Sequence, residues 1–104
     1  MAVVKITVLK TDYDAQLASE YGAPEVTGPC GLHTVGQEIY CDRHYQPAEM
    51  CGEAWKAIQH YVYALYHGDC IPLGKGWMKQ PGVAIATCND GLRPVTFKIE
   101  RVET

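Results

Sequence analysis

PAEMCGEAWKAIQHYVYALYHG, Pro47 to Gly68, is the stretch on which the fold turns. Cys51, Trp55, Ile58, Val62 and Leu65 recur at intervals of four, three, four and three, the repeat of one helical face. Ala54 and Tyr61 widen that stripe, and Glu53, Lys56, Gln59 and His60 occupy the other side. Pro47 suits a first helical position, where its missing N–H has no intrahelical partner, and Glu49 faces the positive helix end. The spacing predicts a helix over about 47–67, ended by Gly68. A helix with one apolar face needs another layer to bury it.

The flanking sequence supplies that layer as strands. Val3 to Leu9 alternates, with Val4, Ile6 and Val8 on one face and Val3, Lys5, Thr7 and Leu9 on the other. Asp14 to Tyr21 reads as a short helix with Asp14 as N-cap and Gly22 behind it. The proline- and glycine-bearing stretch from Gly22 to Gly36 is a loop, and Gln37 to Cys41 is a short strand. Two further strands, Val83 to Cys88 and Leu92 to Val102, flank an Asp90-Gly91 turn. The expected fold is α+β over residues 1–104 as a single domain: a small mixed or antiparallel sheet covered by one long helix, with a C-terminal β-hairpin. Two registers fit that hairpin. A loop of Asn89 to Gly91 pairs Val83 with Phe97 and Ile85 with Val95; a loop of Asn89 to Leu92 sets Cys88 opposite Arg93 and accommodates Pro94, which has no N–H to donate.

Composition narrows the function. The formal net charge of -3 offers no basic patch for a phosphate backbone, so nucleic acid is not an expected partner. The longest strongly apolar run, Val3 to Leu9, is broken by Lys5 and falls far short of the roughly 20 residues of a membrane span. The chain opens on no charged n-region with an apolar h-region, so the expectation is a soluble, cytoplasmic protein. Five cysteines, Cys30, Cys41, Cys51, Cys70 and Cys88, are an odd number for a disulfide framework and are expected as free thiols.

The segments KITVLK, GPC with GQE six residues on, CxxAW over Cys51 to Trp55, His67-Gly68, GWMK over Gly76 to Lys79, and CNDGLRPVxFxIER over Cys88 to Arg101 resemble a family of short prokaryotic proteins. The resemblance spans nearly the whole chain and is most specific in the last block. It implies a domain of this size and no particular reaction. Relatives of this pattern carry two consecutive cysteines before the turn; here Thr87 takes the first place, so a dithiol role does not carry over.

The chemistry-bearing residues fall into three groups. Cys51, near the start of the long helix, stands where the partial positive charge of the backbone amides favours a thiolate. Cys88, Asp90 and Arg93 crowd the hairpin turn, and Arg93 can bind a carboxylate or phosphate bidentately. His67, at the helix C-terminus, is placed for proton transfer, with its protonated form favoured by the helix dipole. Cys51, Cys88, Asp90 and His67 are therefore the candidate catalytic residues, and Arg93, Trp55, Trp77 and Cys30 the candidate ligand-binding ones. A competing reading takes the C-x2-H pairs Cys30/His33 and Cys41/His44 as a zinc site of four ligands; an iron–sulfur cluster lacks a tight cysteine run.

No Ser-His-Asp order, P-loop, dinucleotide fingerprint or HExxH is present, which leaves acid–base or thiol chemistry without a large cofactor. The expected function is binding of, or action on, an anionic small molecule, as a cofactor-free lyase or isomerase if the protein is an enzyme. The alternative is a non-enzymatic accessory or metal-binding module using the cysteines. A pocket is expected between the helix, the Cys30 loop and the hairpin turn, or across the subunit boundary of a homo-oligomer.

Overall fold

The computed structural model describes residues 2–68, 74 and 76–103. Its elements are β1 (Ala2–Thr11), α1 (Ala15–Tyr21), β2 (Glu38–Tyr40), α2 (Gly52–His67), β3 (Val83–Thr87) and β4 (Val95–Glu103). The strands form one four-stranded sheet in the order β2-β1-β4-β3, every pair antiparallel. Among the described residues the fold is thus α+β, with two helices and a sheet that is antiparallel rather than mixed.

The alternation of β1 decides which face is buried. Val4, Ile6 and Val8 are fully buried with Ile39 of β2, Phe97 and Ile99 of β4 and Ala84 of β3. Onto this face α2 brings Ala54, Trp55, Ile58, Val62 and Leu65, all within the same apolar cluster. The opposite sheet face carries matched charges: across strands Lys5 Nζ lies 3.2 Å from Glu38 and 3.9 Å from Glu100, and along β4 Lys98 approaches Glu100 at 3.4 Å. Cross-strand pairs of opposite sign keep that face compatible with water. Among the described residues no helix is long and apolar enough to cross a membrane.

At α1 the local signals act as expected: Asp14 Oδ1 accepts the Leu17 N–H at 2.9 Å, an N-cap hydrogen bond. The start of α2 falls later than Pro47, where the spacing places it. Pro47 to Met50 form a turn in which the Met50 N–H donates to the Pro47 carbonyl at 3.2 Å, and Met50 is buried in the core. Cys51 then has φ -60 and ψ 135, the non-helical backbone of an N-cap, and the helix runs from Gly52.

Neither expected hairpin register occurs. β3 and β4 pair Ala84 with Ile99 and Ala86 with Phe97, and the last ladder bond is Cys88 N–H to the Val95 carbonyl at 3.0 Å. The loop is therefore Asn89 to Pro94, wider than either alternative. Two interactions hold it open. Asp90 Oδ1 accepts the amides of Leu92 at 2.9 Å and Arg93 at 3.1 Å, which folds the chain into a tight local turn. The carbonyls of Leu92 and Pro94 accept the amides of Asp14 and Asp12, so this arm follows the end of β1 and leaves β3 early. Pro94, with no N–H, gives up nothing by leaving the ladder.

Candidate functional site

The hairpin turn, the Cys30 loop and the first turn of α2 enclose a cleft of about 620 Å³. Cys30, Cys51 and Cys88 line it, together with His33, Asp90 and Arg93. The antiparallel pairing explains why Cys88 points inward: it stands opposite Val95, on the face of Phe97 and Ala86. Cys51 reaches the cleft because it caps α2. The hairpin is fastened to that helix by Asn89, whose Nδ2 donates to the Glu53 carbonyl at 3.3 Å.

The three thiols differ in their engagement. Cys30 Sγ accepts the Leu32 N–H at 3.5 Å, and Cys88 Sγ accepts the Val95 N–H at 3.3 Å. Cys51, the N-cap, makes no side-chain capping bond, and among the described residues its sulfur has no hydrogen-bond partner beside the positive end of α2. Its backbone is held instead. The Cys51 N–H donates to His33 Nε2 at 3.4 Å, while His33 Nδ1 stands 3.3 Å from Gln37 Oε1. With Nε2 accepting, Nδ1 carries the proton and donates to Gln37, which defines the tautomer. His33 is 5% exposed and meets the Phe97 ring edge-on with centroids 5.4 Å apart. It therefore links the core, the Cys30 loop and the start of α2.

Asp90 and Arg93 form one unit. Arg93 Nε donates to Asp90 Oδ2 at 2.9 Å, and the Nη groups make no hydrogen bond among the described residues. Partial burial alone would raise the Asp90 carboxyl. The amides of Leu92 and Arg93 and the Arg93 guanidinium outweigh it and hold the group below its ordinary range. Asp90 is thus an ionised anchor that aims Arg93, and the role of proton carrier expected of it does not suit a carboxylate so engaged.

The remaining candidate residues lie elsewhere. His67 is at the far end of α2, about 24 Å from Cys51 at the usual rise per residue, and its Nε2 meets His44 Nδ1 at 3.2 Å. Trp55 is a core residue, 8% exposed, and Trp77 packs on Tyr61 with centroids 5.7 Å apart; neither lines the cleft. The zinc set Cys30, His33, Cys41 and His44 is not assembled. Cys30 and His33 line the cleft, His44 sits among Tyr45, Tyr63, Tyr66 and His67, and among the described residues no three His, Cys, Asp or Glu side chains are placed to hold one metal ion. Sequence reasoning missed Asn89 and Glu53 as the hairpin's fastening. It also missed the positioning role of His33, whose local signal is the Gln37 four residues on.

Cys30, Cys41, Cys51 and Cys88 are free thiols; Cys70, expected free as well, lies outside the described residues. Cys41 is chemically distinct from the cleft thiols. It is 6% exposed, and burial, with the Glu49 charge adding to it, pushes its thiol up to about 12 from an ordinary 9.0. The native state keeps a proton there that the unfolded chain releases near the ordinary value, so this group lowers stability as pH rises from 9.0 toward about 12. Cys41→Ala should flatten that alkaline decline, read as urea midpoints at about pH 8 and pH 10. An equal decline in both proteins would show that Cys41 does not titrate as a buried thiol.

No family model, curated protein or solved structure matches this chain, so what the cleft does follows from its own residues.

Proposed function

We propose that the cleft binds a small anionic molecule, with Arg93 holding its charge and Cys51 as the reacting thiol. The observation that carries this reading is the convergence on one cleft of an N-cap thiol that makes no side-chain capping bond and a guanidinium anchored through Nε, whose Nη donors make no hydrogen bond among the described residues. An anion placed there would gain charge-assisted hydrogen bonds from Arg93 and the field of the α2 N-terminus together. As an enzyme the protein would be a cofactor-free lyase or isomerase. Cys51 would move a proton on carbon next to the anionic group, and Arg93 would stabilise the charge that develops. Asp90 and His33 would act as positioning residues, the first through Arg93 and the second through the Cys51 backbone. The cover of the sheet by α2 belongs to this reading, since it brings the helix start to the hairpin. So does membership of the family of short prokaryotic proteins, because the GPC, CxxAW and CNDGLRPV segments that carry the resemblance are the ones lining the cleft.

Paired alkylating reagents test it without a known substrate. Iodoacetate and iodoacetamide both form a thioether with loss of iodide, and only the first is anionic. Cys51 should be the first thiol carboxymethylated by iodoacetate, identified by peptide mass mapping. Arg93→Gln should slow that reaction by about tenfold, the worth of one charge-assisted contact, while leaving the iodoacetamide rate nearly unchanged. Equal slowing of both reagents, or modification of Cys88 ahead of Cys51, would overturn the assignment.

A further inference from the structure

At the end of α2 remote from the cleft, two imidazoles face each other across elements. His44 belongs to the Asp42–Tyr45 turn that follows β2, closed by the Tyr45 N–H to Asp42 carbonyl bond at 3.0 Å. His67 is the last residue of α2. Their nearest ring nitrogens, His44 Nδ1 and His67 Nε2, are 3.2 Å apart. We propose that these two nitrogens are the protein ligands of a site for a divalent transition-metal cation of the imidazole-preferring class, copper(II), nickel(II), cobalt(II) or zinc(II), with water completing the shell.

The geometry carries the inference. Two nitrogens 3.2 Å apart, each about 2.0–2.1 Å from a shared ion, subtend ~100–106° at it, between the octahedral and tetrahedral angles. Without an ion the same two nitrogens share a hydrogen bond, one ring N–H donating to the other ring's nitrogen, which a bound cation would replace. The rings are also held before any ion arrives. His44 packs on Tyr45, Tyr63 and Tyr66 with centroids 4.6, 5.0 and 6.0 Å away, and His67 packs on Tyr63, one helical turn earlier, at 4.3 Å. Little side-chain entropy remains to be lost on binding. His67 is exposed and His44 half-buried, so an ion from solvent can reach the pair. With two protein ligands the site keeps open positions, consistent with no third His, Cys, Asp or Glu placed for the same ion among the described residues. A bound ion would tie the turn after β2 to the end of α2. It would stabilise the fold by mass action, since the unfolded chain separates the two rings.

Cobalt(II) is the probe, added to the full chain. Titration should show one ion bound per chain at the imidazole pair, with no sulfur-to-cobalt charge-transfer band, and a thermal midpoint that rises with cobalt concentration. His67→Gln and His44→Phe, which keeps an aromatic ring in the cluster, should each weaken binding at least tenfold and remove the thermal shift. His60→Gln, an exposed histidine stacked on Tyr61, should leave both unchanged. If His44→Phe fails to fold, the exposed His67→Gln decides alone. Unchanged affinity in the His67 variant, a thiolate charge-transfer band in the one-to-one complex, or no binding at millimolar cobalt would each overturn the proposal.

Discussion

Phe97→Ala should cost about 3–5 kcal/mol of folding stability. Phe97 is fully buried on β4, paired with Val8 on one side and Ala86 on the other, and its ring lies at the centre of the apolar layer. Ala86 cannot reach across to fill the space, and the flanking strand is fixed by its ladder, so the site has little freedom to collapse. The penalty is then the lost transfer energy plus a persistent cavity. Against a typical stability of 5–15 kcal/mol for a domain, that leaves a narrow margin. The variant should also blunt the iodoacetate preference of Cys51 while still folded, because the Phe97 ring packs against His33, which holds the Cys51 amide. Urea melts followed by circular dichroism measure the first effect. A loss under about 1 kcal/mol would show that the ring does not close this core.

Arg101→Ala should cost about 1.5–3 kcal/mol, an effect of different origin. The last carbonyls of a helix have no intrahelical donor, and α2 ends without a glycine in the left-handed region, since Gly68 has φ -177. Arg101 supplies the missing donors from β4. Its Nη1 lies 3.0 Å from the Leu65 carbonyl, 3.3 Å from that of Tyr66 and 2.9 Å from that of Gly68, while Nε pairs with Glu103 at 2.8 Å. A cation at this end also meets the negative pole of the helix. Removing it takes away the side-chain donor that these carbonyls have among the described residues. Arg101→Lys keeps the charge but lacks the planar fork, so it should recover only part of the loss. If the alanine and lysine variants melt together with the parent protein, the cap contributes nothing.

What can be read from the sequence is whatever rests on neighbours in the chain. The alternation of Val4, Ile6 and Val8, the Asp14 cap and the stripe from Trp55 to Leu65 each depend on residues a few positions apart, and each occurs as read. The errors come where a distant partner decides. Pro47 resembles a helix start, but the start lies at the Cys51 cap, whose amide is claimed by His33, 18 residues away. The hairpin register departs from both readings for the same reason. Asp12 and Asp14 draw the Leu92–Pro94 arm toward β1, and no inspection of the turn alone discloses that competition.

The site follows the same division. Cys51, Cys88 and Arg93 come together because a helix start and a hairpin tip are compact features whose meeting depends only on layer order. His67 could have been set apart from them on sequence grounds: the rise of the helix that carries it already places it some 24 Å from Cys51. His33 acts through a backbone amide of another element, and such a partner leaves no mark on residue type.

The central pair of the sheet, β1 with β4, sets a condition on how the chain acquires its structure. Ala2 pairs with Glu103 and Thr11 with Val95, so the two middle strands are drawn from opposite ends of the described sequence. Closing so long a loop is the slow step in reaching such a pairing, and nothing local rewards it in advance. During synthesis β1 emerges well ahead of β4, and until that partner leaves the ribosome the edge of β1 that β4 will pair has no strand beside it. The lysine at position 5, within β1, gives the waiting strand a charge that opposes its pairing with other chains.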